Sequence, residues 1–421
     1  EPLLPGRHRS TEALIFLRVT LPFIAGFFVS YMFRAVNAVL GPTLALEFGL
    51  NAGRLGLLTS MYFLSFAVFQ LPLGLLLDRF GPRRVNGTLL LVSVAGSILF
   101  ATAHSAAEAI AARTLIGLGV SGSLMSTFLA FVLWYPAERL STMNGVAFSA
   151  GALGAMTVSV PLELLLRVWP WREVFMLLAG VTLAVSLLMW LWVPERSAQP
   201  RGETIMGQIR GLGGLLRDPA FRRIAAALGT TQFALISMIT LWIANWLRDV
   251  AGYGLAEVAR GLLAVNVAMI VGYLGFGRAA DWLVRRGYNV IFLIIGGVAA
   301  GSLSLAILAL GVRVGGLLLW CVFVVGSTAM ALTYSLLSRR YPKELVGRAN
   351  AGVNVFCFTG IFAGQWGVGL MLDYWRQGAA GYTPQAYSFT LGVVWAIQVC
   401  GLLWLWLGRH LFMESVVPLK S

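Results

Sequence analysis

Charge of either sign is scarce in this sequence. Of 421 residues only 11% are Asp, Glu, Lys or Arg, 58% are hydrophobic, and the mean hydropathy is +0.82. That excludes a water-soluble fold of this size, so most of the surface must face lipid. Lysine is almost missing, occurring only as Lys343 and Lys420. The bias toward arginine, with abundant Ala, Gly and Leu, points to a GC-rich bacterial gene. The three cysteines, Cys321, Cys357 and Cys400, each sit inside an apolar run, which excludes a disulfide framework. The three histidines, His8, His104 and His410, lie too far apart for a metal-ligand spacing, so no metal is expected. There is no phosphate-binding glycine loop and no nucleophile constellation. Their absence excludes ATP-driven work and enzymatic catalysis and leaves no role for a cofactor. No cleavable leader is expected, because Glu1–Ser10 is polar and the first apolar run is long enough to span.

What is present is a series of long apolar runs. They fall at about 14–40, 53–77, 85–104, 108–133, 143–166, 173–193, 222–247, 257–280, 288–311, 315–337, 348–372 and 386–408. Each is close to the roughly 20 residues that cross a hydrocarbon core. The pattern predicts an all-α membrane protein with twelve transmembrane helices. With the N-terminus inside, 21 Lys and Arg residues fall on the cytoplasmic side and 7 on the other. This positive-inside bias puts both termini in the cytoplasm. The net charge of +14 is therefore topology and not a nucleic-acid surface.

The longest polar stretch, Pro194 to Arg223, divides the runs six and six. The expected organisation is an N-terminal half at 1–193, a cytoplasmic linker at 194–221 and a C-terminal half at 222–421. Within the linker an amphipathic segment, Met206 to Leu216, is expected on the membrane surface. The halves read as repeats. Tyr135-Pro136-x-Glu138 recurs as Tyr341-Pro342-x-Glu344, an offset of 206 that also pairs Asn144 with Asn350 and Gly154 with Gly360. Gly74 and Asp78 recur as Gly277 and Asp281 at an offset of 203, with Arg278, Arg285 and Arg286 nearby. Matching polar and glycine positions argue for duplication, giving two pseudo-symmetric six-helix halves around a central cavity.

The richest motif is Gly74-Leu-Leu-Leu-Asp78-Arg79-Phe-Gly81-Pro82-Arg83-Arg84, at the junction of the second and third runs. It resembles the loop 2–3 signature of the major facilitator superfamily, close to G-x-x-x-D-R-x-G-R-R. Arg113-x-x-x-Gly117-x-Gly119 is similar to that family's fourth-helix signature. The resemblance covers essentially the whole chain and implies a secondary transporter working by alternating access, monomeric by family default. Trp134-Tyr135-Pro136-x-Glu138-Arg139 and Trp171-Arg172-Glu173-Val-Phe175 look like the organic-anion branches, the anion–cation symporters and organophosphate antiporters. The fifth helix lacks the Gly-Pro pair typical of drug–proton antiporters. In the family, the carboxylate matching Asp78 meets the positive end of the eleventh helix, which here begins near Gly347-Arg348. The resemblance thus implies a latch, with a weaker copy at Asp281. The other reading is that Asp78 and its arginines anchor a turn to headgroups.

Arg34 is the charge of most interest. It lies within the first run, about 10 Å from the expected midplane, where insertion costs about 2.5–3.5 kcal/mol and favours a partner of protein or water. Tyr31, Arg34 and Asn37 share one side of the helix. The stripe resembles the first helix of the anion–cation symporters, where this arginine binds the substrate's carboxylate. A planar guanidinium suits a carboxylate or phosphate bidentately. Internal pairing and snorkelling are the blander readings. The symporters carry coupling carboxylates at positions that here read Phe33 and Val120, so proton coupling by that route is in doubt. Glu163 has two readings, a coupling site or a partner of Arg167 or Arg172, and pairing is favoured. Arg113 is either a gating residue or a partner of Glu108.

The second half offers amides in place of charge. Gln232, Asn245, Asn266, Asn350, Asn354 and Gln365 are candidates for the cavity wall, with helix capping the simpler role for Asn350. The expected function is import of a small organic anion across a bacterial inner membrane, held by Arg34, with proton coupling a further option. The alternatives are a carrier of a siderophore, metal chelate or drug-like compound, or a transporter-like solute sensor. The partners are the solute, the bilayer and, for a symporter, protons.

Overall fold

The computed structural model describes residues 13–135, 137–195, 213–341, 343–375 and 382–413. Most of the amphipathic stretch beginning at Met206 lies outside them, as do Pro136, Pro342 and the side chains of Glu138, Glu344 and Arg348. Twelve helices among the described residues are long and apolar enough to cross a membrane. The first is α1, Ala13–Glu47. The helical stretch Ala52–Ala101 folds back at Gly81, giving α2 before it and α3 after it. Then come α4 Ala106–Trp134, α5 Met143–Leu166 and α6 Trp171–Trp192. The second series is α7 Pro219–Asp249, α8 Leu255–Arg285, α9 Val290–Ala309, α10 Gly316–Leu337, α11 Ala349–Tyr374 and α12 Pro384–Leu407.

The helices start where the chain supplies a cap. Ser105, Asp218, Asn289 and Thr383 accept from a backbone N–H in the first turn of α4, α7, α9 and α12. Val271, Leu274, Leu303, Leu318 and Leu407 stand exposed along their helices, an apolar outer surface that water penalises and lipid does not.

Gly81 has φ 77° and ψ 164°, a region that essentially only glycine visits. It permits the reversal between α2 and α3, and the motif's arginines then fix it. Arg83 donates to the Trp190 carbonyl at 2.5 Å, and Arg84 pairs with Glu195 at 2.5 Å, both near the end of α6. Gly81→Ala is expected to lower stability by about 1–3 kcal/mol, read as a lower unfolding midpoint in detergent.

The chain forms two compact units, one of residues 1–36 with 68–205 and the other of 37–67 with 206–421. Inside the first, α5 crosses α1 so closely that a side chain at Gly154 would run into the Phe28 carbonyl. Inside the second, α11 crosses α7 and a side chain at Gly360 would run into the Gly229 carbonyl. The paired tyrosines behave alike. The Tyr135 hydroxyl meets Thr20 Oγ1 on α1 at 2.6 Å, and the Tyr341 hydroxyl donates to Asp218 at the start of α7 at 2.5 Å. Burial opposes the charge on Asp218, but the Tyr341 hydroxyl, Arg340 and the Ala220 N–H outweigh it and hold the carboxyl below its usual range. In both halves the paired glycine and the paired tyrosine thus fasten onto the first helix or its start.

Candidate functional site

Arg34 is half-buried on α1 with its guanidinium carbon 4.5 Å from the centre of the Tyr31 ring. Tyr31 is itself held edge-on against Phe27, with ring centres 4.9 Å apart. Gly151 on α5 makes room for it, since a Cβ there would lie 3.0 Å from the Tyr31 ring. The arginine therefore rests on a packed aromatic shelf, which restricts its rotamers before any ligand arrives. Its five N–H donors in a rigid fork match a carboxylate, sulfonate or phosphate edge.

A second guanidinium approaches the same turn of α1. Arg113 on α4 is fully buried and donates from Nη1 to the carbonyl of Phe33 at 3.1 Å, one residue before Arg34. Glu108 accepts from the backbone N–H of His104 at the start of α4. Glu163 is buried and pairs with Arg167 at 2.8 Å. Phe33 and Val120 are both fully buried, so the two places that resemble coupling carboxylates are apolar packing positions. Arg34 on α1 and Arg113 reaching that helix from α4, with the buried carboxylate of α5 bound to Arg167, favour an anion electrostatically.

The stripe of Tyr31, Arg34 and Asn37 divides in the structure. Asn37 is fully buried and donates to Thr59 on α2 at 3.0 Å, so it serves the α1–α2 contact. In the second unit, α7 winds as a π-helix over Met238–Trp242, a local distortion common at functional sites. Gln365 on α11 meets it there, donating to Thr240 at 3.2 Å while its own carbonyl accepts from the Trp242 indole at 3.2 Å. Asn354 accepts from the Tyr334 hydroxyl at 2.6 Å, and Asn266 donates to the Leu262 carbonyl at 2.8 Å. The buried amide oxygens of Gln232, Asn245, Asn266 and Gln365 have no hydrogen-bond partner among the described residues. Each such acceptor costs about 1–3 kcal/mol until a donor reaches it.

Thr59, Thr240 and Tyr334 had no signal in the sequence, because a lone hydroxyl in an apolar run is ordinary. Gly74 and Asp78 lie half-buried near the foot of α2, Arg79 is exposed beside Phe80, and on α8 Gly277 is half-buried and Asp281 exposed.

A model of the Major Facilitator Superfamily matches residues 23–365. A D-galactonate transporter of Escherichia coli O6:H1 is 24% identical over 428 residues, covering 95% of each chain. A probable sulfoacetate transporter of Cupriavidus necator is 23% identical over 278 residues, covering 63% of this chain and 64% of that one. The chain thus spans just under two thirds of the second relative's length. A solved bacterial homologue of the human lysosomal transporter Spinster, in an inward-facing and occupied conformation, superposes with a TM-score of 0.77 at 15% identity. That match covers 96% of this chain and 98% of the other, and it shows the fold.

Proposed function

Because the chain belongs to the Major Facilitator Superfamily, we propose that it imports a small carboxylate anion across a bacterial inner membrane, with Arg34 holding the anion. Secondary transport of small organic anions follows from the family together with relatives that carry sulfoacetate and D-galactonate. The observation that carries the finer reading is Arg34 on its Tyr31 shelf, 4.5 Å from the ring centre, with the buried Arg113 bonded to the neighbouring Phe33 carbonyl. A neutral or cationic solute gains nothing from a guanidinium on α1 with a second one, from α4, bonded to the adjacent backbone carbonyl. The protein would act as a monomer, and Asp78 with the start of α11 would hold the cytoplasmic ends in one conformation.

A thermal-shift screen of the purified protein against carboxylates, phosphate esters, amines and iron chelates tests the class. Carboxylates should stabilise the wild type, and stabilisation by amines or chelates alone would sink the reading.

Import of an anion against an inside-negative potential costs about 2.3 kcal/mol per charge per 100 mV, so a driving ion is needed and a proton is the simplest. Glu163 is spoken for by Arg167. Glu163→Gln is therefore expected to leave the pH profile of uptake in place, with its midpoint unmoved. A profile flattened by that one change would make Glu163 the coupling site.

A further inference from the structure

Asp373 sits in the last turn of α11, where a carboxylate faces the negative end of its own helix dipole. Its partners on another helix account for it. Oδ1 accepts from the Ala52 N–H at 3.0 Å and Oδ2 from the Gly53 N–H at 2.7 Å, the first two residues of α2. The Ala52 N–H is shared with the Tyr382 hydroxyl at 2.6 Å, and that hydroxyl donates to Asp373 Oδ1 at 2.9 Å. Asn51 takes the next donor, the Arg54 N–H, at 2.9 Å. Three of the donors that a helix start leaves unpaired are thus satisfied, two of them from a helix about 320 residues away in the chain.

Backbone meets backbone beneath this cap. A side chain at Gly369 would run into the Ala52 carbonyl and come within 2.9 Å of the Gly53 Cα. One at Gly56 would meet the Gln365 carbonyl and lie 3.3 Å from the Trp366 Cα. Farther along the same two helices Phe66 packs on Phe358, with ring centres 4.2 Å apart. At this end the seam is closed by charge-assisted hydrogen bonds, which are strong when sheltered and which water can replace.

We infer that Asp373, Tyr382 and the start of α2 form a latch that joins the ends of α2 and α11 in one conformation of the transport cycle and releases them in another. These helix ends belong to different sequence repeats, and the arginine distribution puts both on the external side. The inference rests on transport by alternating access and not on which anion is carried.

The test uses the full chain with Cys321, Cys357 and Cys400 changed to Ser, and spin labels on Arg54→Cys and Tyr374→Cys, both exposed positions. In liposomes, Asp373→Asn should raise the ratio of separated to joined ends about fivefold, the effect of losing one good helix cap. Gly369→Val should do at least as much, and Tyr382→Phe should shift the ratio in the same direction by less. Unchanged distances in Asp373→Asn and Gly369→Val proteins that melt like the wild type would overturn the latch. If those variants do not fold, Tyr382→Phe decides, since it removes one hydroxyl and an unchanged ratio refutes the proposal. Ends that never separate in wild-type protein while it carries labelled D-galactonate would also refute it. An absence of any transport would instead count against the functional reading.

Discussion

Arg34→Gln is expected to weaken binding of the transported anion by about ten- to a hundredfold, the range for losing hydrogen bonds to a charged group. The variant removes the charge and the fork and leaves a shorter, neutral amide in their place. Arg34→Lys should recover only part of the loss, because an ammonium cannot make the bidentate contact. Titration calorimetry with D-galactonate gives the ratio directly. The unliganded protein should be no less stable than the wild type, since a partly buried guanidinium at this depth costs more to insert than an amide. That combination, lost affinity with intact folding, separates a ligand-binding arginine from one that merely holds α1 in place. If Arg34→Gln instead unfolds the protein and leaves affinity untouched, the arginine belongs to the scaffold.

Gly154→Val and Gly360→Val should each destabilise the folded protein by about 2–3 kcal/mol, the upper part of the range for forced overpacking. Each glycine lies against a backbone carbonyl, of Phe28 in one case and Gly229 in the other. Neither carbonyl can step aside without moving the whole of α1 or α7. The two costs should also be close to each other, because each glycine, paired at an offset of 206, meets a backbone carbonyl of the first helix of its half. Gly180, with nothing within 4 Å of its would-be side chain, provides the contrast, and Gly180→Val should change the unfolding midpoint little. Unfolding in mixed detergent, followed by tryptophan fluorescence, measures all three.

Twelve crossings were readable because each apolar run is long and is interrupted by arginine or glycine, and lipid leaves the backbone few options but helix. Pairing Gly154 with Gly360 needed only the repeat offset, and the structure turns that coincidence into two equivalent helix crossings. The reversal between α2 and α3 was also visible, since the motif carrying Gly81 lies where one apolar run stops and the next begins. The polar contacts are different. Asn37 and Arg34 look alike in a helical stripe, yet Asn37 is consumed by Thr59 on the next helix. Asn354 is engaged by Tyr334, and Gln365 by Thr240. Asp373 carries no signal in the sequence, because the start of α2 that it caps lies about 320 residues earlier. Contacts set by tertiary packing leave no periodicity for a sequence pattern to detect.

We propose that this transporter takes its organic anion through Arg34. Uptake of labelled D-galactonate into liposomes bearing the wild-type protein or Arg34→Gln tests it most directly. Uptake should be saturable in the wild type, competed by other small carboxylates and reduced at least tenfold in the variant. Equal uptake by both proteins, or uptake competed by amines and not by carboxylates, would contradict it.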